Sequence, residues 1–318
     1  MSSSICPAAD TPSTVSVVIP ARDAARYIDE CLASVAAQQG PFSLQVIVVD
    51  DGSRDDTAAR AAAHPGVQVL ATAGRGPAAA RNAGLAAAHG EFVAFLDADD
   101  AWPAGKLARQ LAVLQRVPEA AFVFGDCRQF DATGPRPGTE FEAGALGRRA
   151  WGPGPLLPDA YERLLSAGFV TTGSVVARRQ ALADAGGFRE SLLLVEDLDL
   201  WLRLARRAAV VWVAEVCLLR RLHEHNASRD RLAMATAYVA VLQAQDRAGR
   251  PGALLARLVA RECAYIARMH AARSQSQAAW HWARRAWAAH RSPGSLAAVL
   301  RAGTACLLQA VRRRAQRS

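Results

Sequence analysis

Glu91-Phe92-Val93-Ala94-Phe95-Leu96-Asp97-Ala98-Asp99-Asp100 carries an apolar run straight into three carboxylates. A short apolar run with polar flanks reads as a strand buried on both faces, the kind found in parallel sheets covered by helices. Side chains alternate along a strand, so Asp97 and Asp99 are expected on one side of its end. There a hard divalent cation would find oxygen ligands and hold an anion in turn. Aspartates after a strand also make turns, or cap a helix such as the one expected to begin near Trp102, and the segment alone fits either role.

A second acidic strand end lies upstream, where Leu44-Gln45-Val46-Ile47-Val48-Val49 runs into Asp50-Asp51-Gly52-Ser53. Further strands are expected at Val15–Pro20, Val67–Leu70 and Ala120–Phe124. Helices are expected between them at Ala24–Gln38, Asp55–Ala63 and Pro77–His89, the last with Pro at its opening and Gly90 just past its end. This β-α-β alternation predicts an α/β fold: a Rossmann-like mixed, mainly parallel sheet with helices on both faces. Its ligands belong at the carboxyl ends of the strands, where both acidic clusters lie.

From Asp131 to Pro158 Gly and Pro break the periodicity, which predicts a long functional loop able to close over a substrate. Signals resume at Phe169–Val176, in a helix near Arg179–Ala185, at the turn Gly186-Gly187-Phe188, and in Glu196-Asp197-Leu198-Asp199-Leu200-Trp201-Leu202-Arg203-Leu204. In that last helix Leu198, Trp201, Leu202 and Ala205 are the expected buried face, with acids crowding the first turn. A strand at Val210–Val216 follows, and then Ala/Arg/Leu helices to about Arg314, broken at Ser292-Pro293-Gly294. Trp280, Trp282 and Trp287 read as helix-packing residues.

With 318 residues, about half of them apolar, the chain has material for one large α/β domain plus an appendage. The six cysteines are scattered with no close pair, as expected of buried thiols in a reducing cytoplasm. Residues 1–14 read as a flexible tail without a basic-then-apolar leader, and Leu296–Val311, which contains Arg301, is too short to cross a bilayer. A cytoplasmic protein, soluble or peripheral, is the expectation. The formal charge of +9 is unevenly spread. From Arg247 to the end there are 14 Arg, no Lys and one acid, Glu262, giving +13 against −4 for the rest. An acidic body with a basic helical end argues against a nucleic-acid-binding core and for a tail that meets anionic lipid or an acidic partner, although a general Arg bias accounts for the same numbers.

Taken in order, Val15-Ser16-Val17-Val18-Ile19-Pro20, Val48-Val49-Asp50-Asp51-Gly52-Ser53, Ala80-Arg81-Asn82-Ala83-Gly84, Leu96-Asp97-Ala98-Asp99-Asp100 and Glu196-Asp197 resemble family 2 glycosyltransferases of the GT-A fold. The resemblance covers residues 15 to about 228 and implies a GT-A domain over 15–230 followed by a basic α-helical region over 231–318. It implies metal-dependent transfer of a sugar, with inversion, from a nucleotide-diphosphate donor to a glycan or lipid-linked acceptor in surface polysaccharide synthesis.

The same resemblance assigns roles. Asp51 would accept a hydrogen bond from a pyrimidine imide, favouring a UDP- or dTDP-sugar. Pro20, Arg22 and Asp23 would lie beside the base, with Arg22 standing where an aromatic residue is common and able to stack through its guanidinium. Asp99 would hold Mg²⁺ or Mn²⁺, with Asp97 near ribose or metal water and His223, in Arg220–Ser228, at the metal or diphosphate. Arg81 would face the diphosphate, unless it is a surface arginine on an amphipathic helix. Asp197 would be the base, with Glu196 beside it and with Glu196 and Asp199 raising its basicity by repulsion. Asp100 is expected to cap the following helix. Alternatives are a sugar-nucleotide nucleotidyltransferase, which would want a Gly-rich loop where Ala21-Arg22-Asp23-Ala24-Ala25 stands, and a non-catalytic helical scaffold.

Overall fold

A computed structural model describes residues 13–143, 154–224, 230–246 and 252–315. Residues 1–12 of the expected tail, 144–153 of the expected loop and 225–229 of the His-containing segment lie outside the described residues. The chain divides into two compact units, Met1–Ser191 with Glu196–His223, and Leu192–Val195 with Glu224–Ser318.

The first unit opens with β1 (Ser13–Ala21), α1 (Ile28–Ala36), β2 (Phe42–Asp50), α2 (Thr57–Ala62), β3 (Val67–Ala71), α3 (Pro77–Ala87), β4 (Phe92–Phe95) and α4 (Lys106–Arg116). It continues through β5 (Ala120–Asp131), β6 (Gly134–Pro135), α5 (Glu140–Ala143), α6 (Ala160–Ser166), β7 (Val176–Arg178), α7 (Arg179–Asp184), α8 (Glu196–Ala205) and β8 (Ala209–Arg221). Among the described residues the strands form one sheet ordered β3-β2-β1-β4-β7-β5-β6, with β8 also paired to β5. The β1, β2, β3 and β4 pairings are parallel, β7 is antiparallel to β4 and β5, and β5 and β8 are parallel. The expected mixed, mainly parallel sheet is therefore present.

Register carries the acids to one edge. Ala21 pairs with Asp50, Asp50 pairs with Ala71, and Val18 pairs with Phe95, so β1, β2 and β4 all end on the side that bears Asp51 and Asp97. The two runs expected as short strands, Ala120–Phe124 and Val210–Val216, extend to Asp131 and Arg221, because the β5–β8 pairing continues past the apolar core. The stretch expected as one long loop, 131–158, begins with a tight hairpin into β6 and the short helix α5.

α8 is anchored by aromatic packing. Trp201 is fully buried, with its ring centroid 5.2 Å from Phe122 of β5 and 6.2 Å from Phe95 of β4. Burying such aromatic area is a major contribution to the core, and it fixes the start of α8 at the acidic end of the sheet. Leu200 and Leu204 join the buried face in place of Ala205.

The second unit contains α9 (Arg231–Asp246), α10 (Ala253–Ala272), α11 (Ser276–Ala289) and α12 (Pro293–Ala315). Arg285 lies 4.2 Å from the ring centroid of Trp282, both on α11. No helix among the described residues is long and apolar enough to cross a membrane.

Candidate active site

Asp97–Asp100 form a turn, closed by the Asp100 N–H donating to the Asp97 carbonyl at 3.0 Å, so the strand alternation expected to align Asp97 and Asp99 has already ended. Each acid faces its own partner. Asp97 Oδ1 accepts from Arg81 Nη2 at 2.7 Å, and Asp99 Oδ2 lies 2.7 Å from His223 Nε2. Asp100 is buried and does not cap α4, whose cap position is Gly105. Its Oδ1 accepts the Arg221 N–H at 2.8 Å, and burial together with the charges of Asp99 and Asp97 pushes its carboxyl well above the usual range. Arg221 also donates from Nε to the Asp99 carbonyl at 2.9 Å, tying the turn to β8.

Arg81 is neither at the surface nor solitary. The whole side chain is buried, and it reaches Glu196 Oε1 through Nη1 at 2.6 Å while Nη2 holds Asp97. Burial opposes its charge, but Asp97 and Glu196 more than compensate and drive its pKa upward. Glu196 stays above the ordinary carboxylate range, since burial and the neighbouring Asp197 outweigh Arg81. The rest of the Ala80–Gly84 motif is equally physical. Asn82 accepts the Phe188 N–H and donates to its carbonyl, both at 2.8 Å, pinning the loop before α8. Gly84 lets α3 lie against β1, where an added Cβ would stand 2.4 Å from Val18 Cγ1.

Asp197 is the second residue of α8, whose start follows Val195, a β-branched residue at φ +55°, a strained conformation of the kind that collects at functional sites. Its Oδ2 accepts from Thr172 Oγ1 at 2.6 Å and its Oδ1 from the Leu198 N–H at 2.7 Å. Asp199, expected to repel it, instead lies fully buried between Arg189 and Arg203, each at 2.8 Å.

The β1, β2 and β3 ends form a second group. Asp51 accepts from Thr72 Oγ1 at 2.5 Å, the Arg75 N–H at 3.0 Å and the Gly76 N–H at 2.7 Å. Burial raises its pKa, but these bonds outweigh burial and hold it below the usual carboxylate value. The Gly74 N–H acts on the same carboxylate, so the loop after β3 surrounds it with donors. Pro20 closes β1. Asp23, at φ +48°, accepts the Arg54 N–H at 2.7 Å and donates its own N–H to Ser53 at 3.0 Å. Arg22 is exposed, with Nη1 beside Gly74 across the gap between the β1 and β3 loops.

Sequence reasoning missed Thr72, Thr172, Tyr27 and Arg221. Tyr27 stacks on His223 with centroids 5.4 Å apart and planes 19° from parallel. These side chains carry no local motif, and each acts on a partner distant in sequence.

Among the described residues no three His, Cys, Asp or Glu side chains are grouped as a protein-only metal cage. Asp99 and His223 nevertheless already converge. Asp99 Oδ2 and His223 Nε2 share a hydrogen bond of 2.7 Å. A carboxylate oxygen and an imidazole nitrogen are both donors that a divalent cation such as Mn²⁺ accepts.

The sequence model described as Glycosyl transferase family 2 matches residues 16–186, more than half of the chain. The chain belongs to the glycosyltransferase 2 family. This glycosyltransferase is 33% identical over 243 residues to the pre-mycofactocin glycosyltransferase of Mycobacterium tuberculosis (strain CDC 1551 / Oshkosh), a match covering 73% of the chain and 47% of that relative. It thus spans about half the length of the curated relative that it matches. It is 40% identical over 109 residues to the succinoglycan biosynthesis protein ExoU of Rhizobium meliloti (strain 1021), covering 33% of the chain and 31% of the relative. Among solved structures it is similar to S. aureus TarS 1-349 in complex with UDP, at TM-score 0.61 and 20% identity over 91% of this chain and 88% of that one. It is also similar to the mannosyltransferase PcManGT from Pyrobaculum calidifontis in complex with GDP-Man and Mn²⁺, at TM-score 0.59 and 23% identity over 92% and 80%. These likenesses establish the GT-A-type fold.

Proposed function

We propose that this glycosyltransferase inverts the anomeric carbon of a UDP- or dTDP-sugar and passes the sugar to a glycan or lipid-linked acceptor in surface polysaccharide synthesis. One observation carries the reading: the buried Arg81 ties Asp97, at the β4 end, to Glu196, at the α8 start, within 2.7 Å of each. Residues for the leaving group and for the base are thereby held along one wall. TarS, solved with UDP, and ExoU, a succinoglycan biosynthesis protein, support a uridine donor and a role in polysaccharide synthesis, while PcManGT holds GDP-Man.

In this mechanism the Asp51 carboxylate reads the pyrimidine imide, while Pro20, Arg22 and Asp23 border the base. Asp99 and His223, with Asp97 beside them, would hold Mg²⁺ or Mn²⁺, which supplies charge stabilisation for a diphosphate leaving group when bound. Asp197 removes the acceptor hydroxyl's proton as the acceptor oxygen bonds to the anomeric carbon and the bond to the diphosphate breaks on the opposite face. Glu196 stays on Arg81, so the two neighbouring acids divide their work between structure and proton transfer. The basic region beyond residue 230 suits an anionic membrane surface on the cytoplasmic side, where a lipid-linked acceptor would be met.

Thermal-shift titration with UDP- and dTDP-sugars, with and without Mn²⁺, tests the reading. Stabilisation by a pyrimidine nucleotide sugar that Mn²⁺ enhances is expected. Asp99→Asn should lose the Mn²⁺ effect, and Asp197→Asn should bind donor yet not transfer. Wild-type turnover in Asp197→Asn would remove the base assignment.

A further inference from the structure

We propose that Thr172 is a positioning residue that aims the Asp197 carboxylate at the acceptor. The inference rests on Asp197 being the base. Thr172 Oγ1 donates to Asp197 Oδ2 at 2.6 Å across 25 positions of sequence. Thr172 is buried while Asp197 is half-buried, so the hydroxyl holds the carboxylate from the protein side and leaves the solvent side for substrate.

The donor is itself immobilised. Thr172–Ser174 form one turn of 3₁₀ helix, closed by the Val175 N–H to the Thr172 carbonyl at 3.1 Å. Trp102 Nε1 donates to the Gly173 carbonyl and Gln110 Nε2 to the Ser174 carbonyl, each at 2.8 Å. On another side Gly173 packs against Leu218 of β8 so closely that an added Cβ would stand 2.7 Å from Leu218 Cδ1. Trp102 lies three residues after Asp99, so the indole that fixes this turn belongs to the segment that carries the proposed metal ligand. Asp197 is thus aimed relative to the leaving-group side of the site as well as by its own helix.

Without Thr172 the carboxylate keeps the Leu198 N–H bond on Oδ1 but loses the one on Oδ2, and a misplacement of about 1 Å can cost a hundredfold in rate. Thr172 keeps its proton throughout. The acceptor's proton goes to Asp197, the acceptor oxygen bonds to the anomeric carbon, and the diphosphate departs with the electrons of its bond to the sugar.

Thr172→Val, Thr172→Ser, Thr172→Ala and Asp197→Asn separate this role from packing. Nucleotide release from a panel of UDP- and dTDP-sugars with Mn²⁺ gives kcat and donor KM, UDP titration gives donor affinity, and crystal structures of Thr172→Val and Thr172→Ala give the Asp197 rotamer. Thr172→Val should lower kcat between about tenfold and a hundredfold at unchanged donor KM and UDP affinity, with Asp197 displaced or in several rotamers. Thr172→Ser should restore kcat to within about twofold. Should Thr172→Val not fold, Thr172→Ala carries the same expectation without the added methyl. Wild-type kcat and an unmoved Asp197 in a variant without the hydroxyl, alongside an inactive Asp197→Asn, would overturn the inference while leaving the base assignment standing. A serine variant as slow as valine would overturn it too, whereas an active Asp197→Asn would strike at the base assignment itself.

Discussion

Arg81 Nη1 and Glu196 Oε1 lie 2.6 Å apart although 115 positions separate the two residues, and both side chains are buried. With Asp97 on the other arm of the same guanidinium, one cation serves two carboxylates that stand on different elements. Removing one partner of a buried charged pair usually costs about 3–5 kcal/mol, since the remaining charge keeps its desolvation penalty. Arg81→Met, which strands two acids, is expected at the upper end of that range by urea denaturation. Arg81→Lys keeps the charge but loses the planar fork, and should retain part of the stability while donor turnover falls. Wild-type stability in Arg81→Met would show that the bridge contributes nothing net.

Gly84 is required by proximity rather than by conformation. Val18 is fully buried and β-branched, so it cannot rotate away from a Cβ that would arrive 2.4 Å from its Cγ1. Gly84→Ala should cost about 1–3 kcal/mol through overpacking despite alanine's better helix propensity. It should also weaken donor binding, because Arg81 lies one turn earlier on the same face of α3. A rise in melting temperature would contradict the close packing of α3 on β1.

Lys106, the one lysine of the chain, is fully buried, its Nζ has no hydrogen-bond partner among the described residues, and it lies 4.1 Å from the Trp102 ring centroid. Burial pushes its ammonium down from 10.5 to about 7. Above that value the folded protein has released a proton that the unfolded chain retains up to 10.5, so this group makes stability rise with pH between about 7 and 10.5. Below pH 7 the charged form is buried at its full cost. Lys106→Met should therefore be more stable than the wild type at pH 6, with the advantage shrinking towards pH 10. Denaturant midpoints at the two pH values measure the difference, and a pH-independent difference would show that Lys106 titrates normally.

His223 and Asp99 offer a metal test that needs no substrate. Mn²⁺ binding followed by electron paramagnetic resonance should weaken by at least about tenfold in His223→Ala, in line with losses on perturbing metal sites. Tyr27→Ala, which removes the ring stacked on His223, should weaken it less. Unchanged Mn²⁺ affinity in His223→Ala would leave the imidazole as a hydrogen-bond partner of Asp99 alone.

Much of the architecture was legible because it rests on local physics. Val15–Pro20, Leu44–Val49 and Phe92–Leu96 are continuous apolar runs that only a doubly covered sheet buries, and Pro77 and Gly90 bracket α3 by backbone geometry. The starts of α1 and α2 were set too early. Asp55 accepts the Thr57 N–H at 3.0 Å and the Ala25 N–H at 3.1 Å, serving the loops before α1 and α2 rather than opening a helix. Asp100 looked like a cap because Asp is common at helix starts, yet its partner is an N–H of β8, 121 positions away.

By itself the sequence determined which segments are buried strands, which strand ends carry acids, and that Asp51, Asp97, Asp99 and Glu196-Asp197 follow the order of a family 2 glycosyltransferase. Periodicity and local turn chemistry suffice for that, because they act over a few residues. Tertiary structure alone decided the partner of each acid: Arg81 for Asp97 and Glu196, His223 for Asp99, Thr172 for Asp197, and Arg189 and Arg203 for Asp199. A hydrogen bond is fixed by distances below about 3.2 Å, and between residues so far apart in sequence only the register of the sheet and the packing of α3 and α8 bring those atoms within reach.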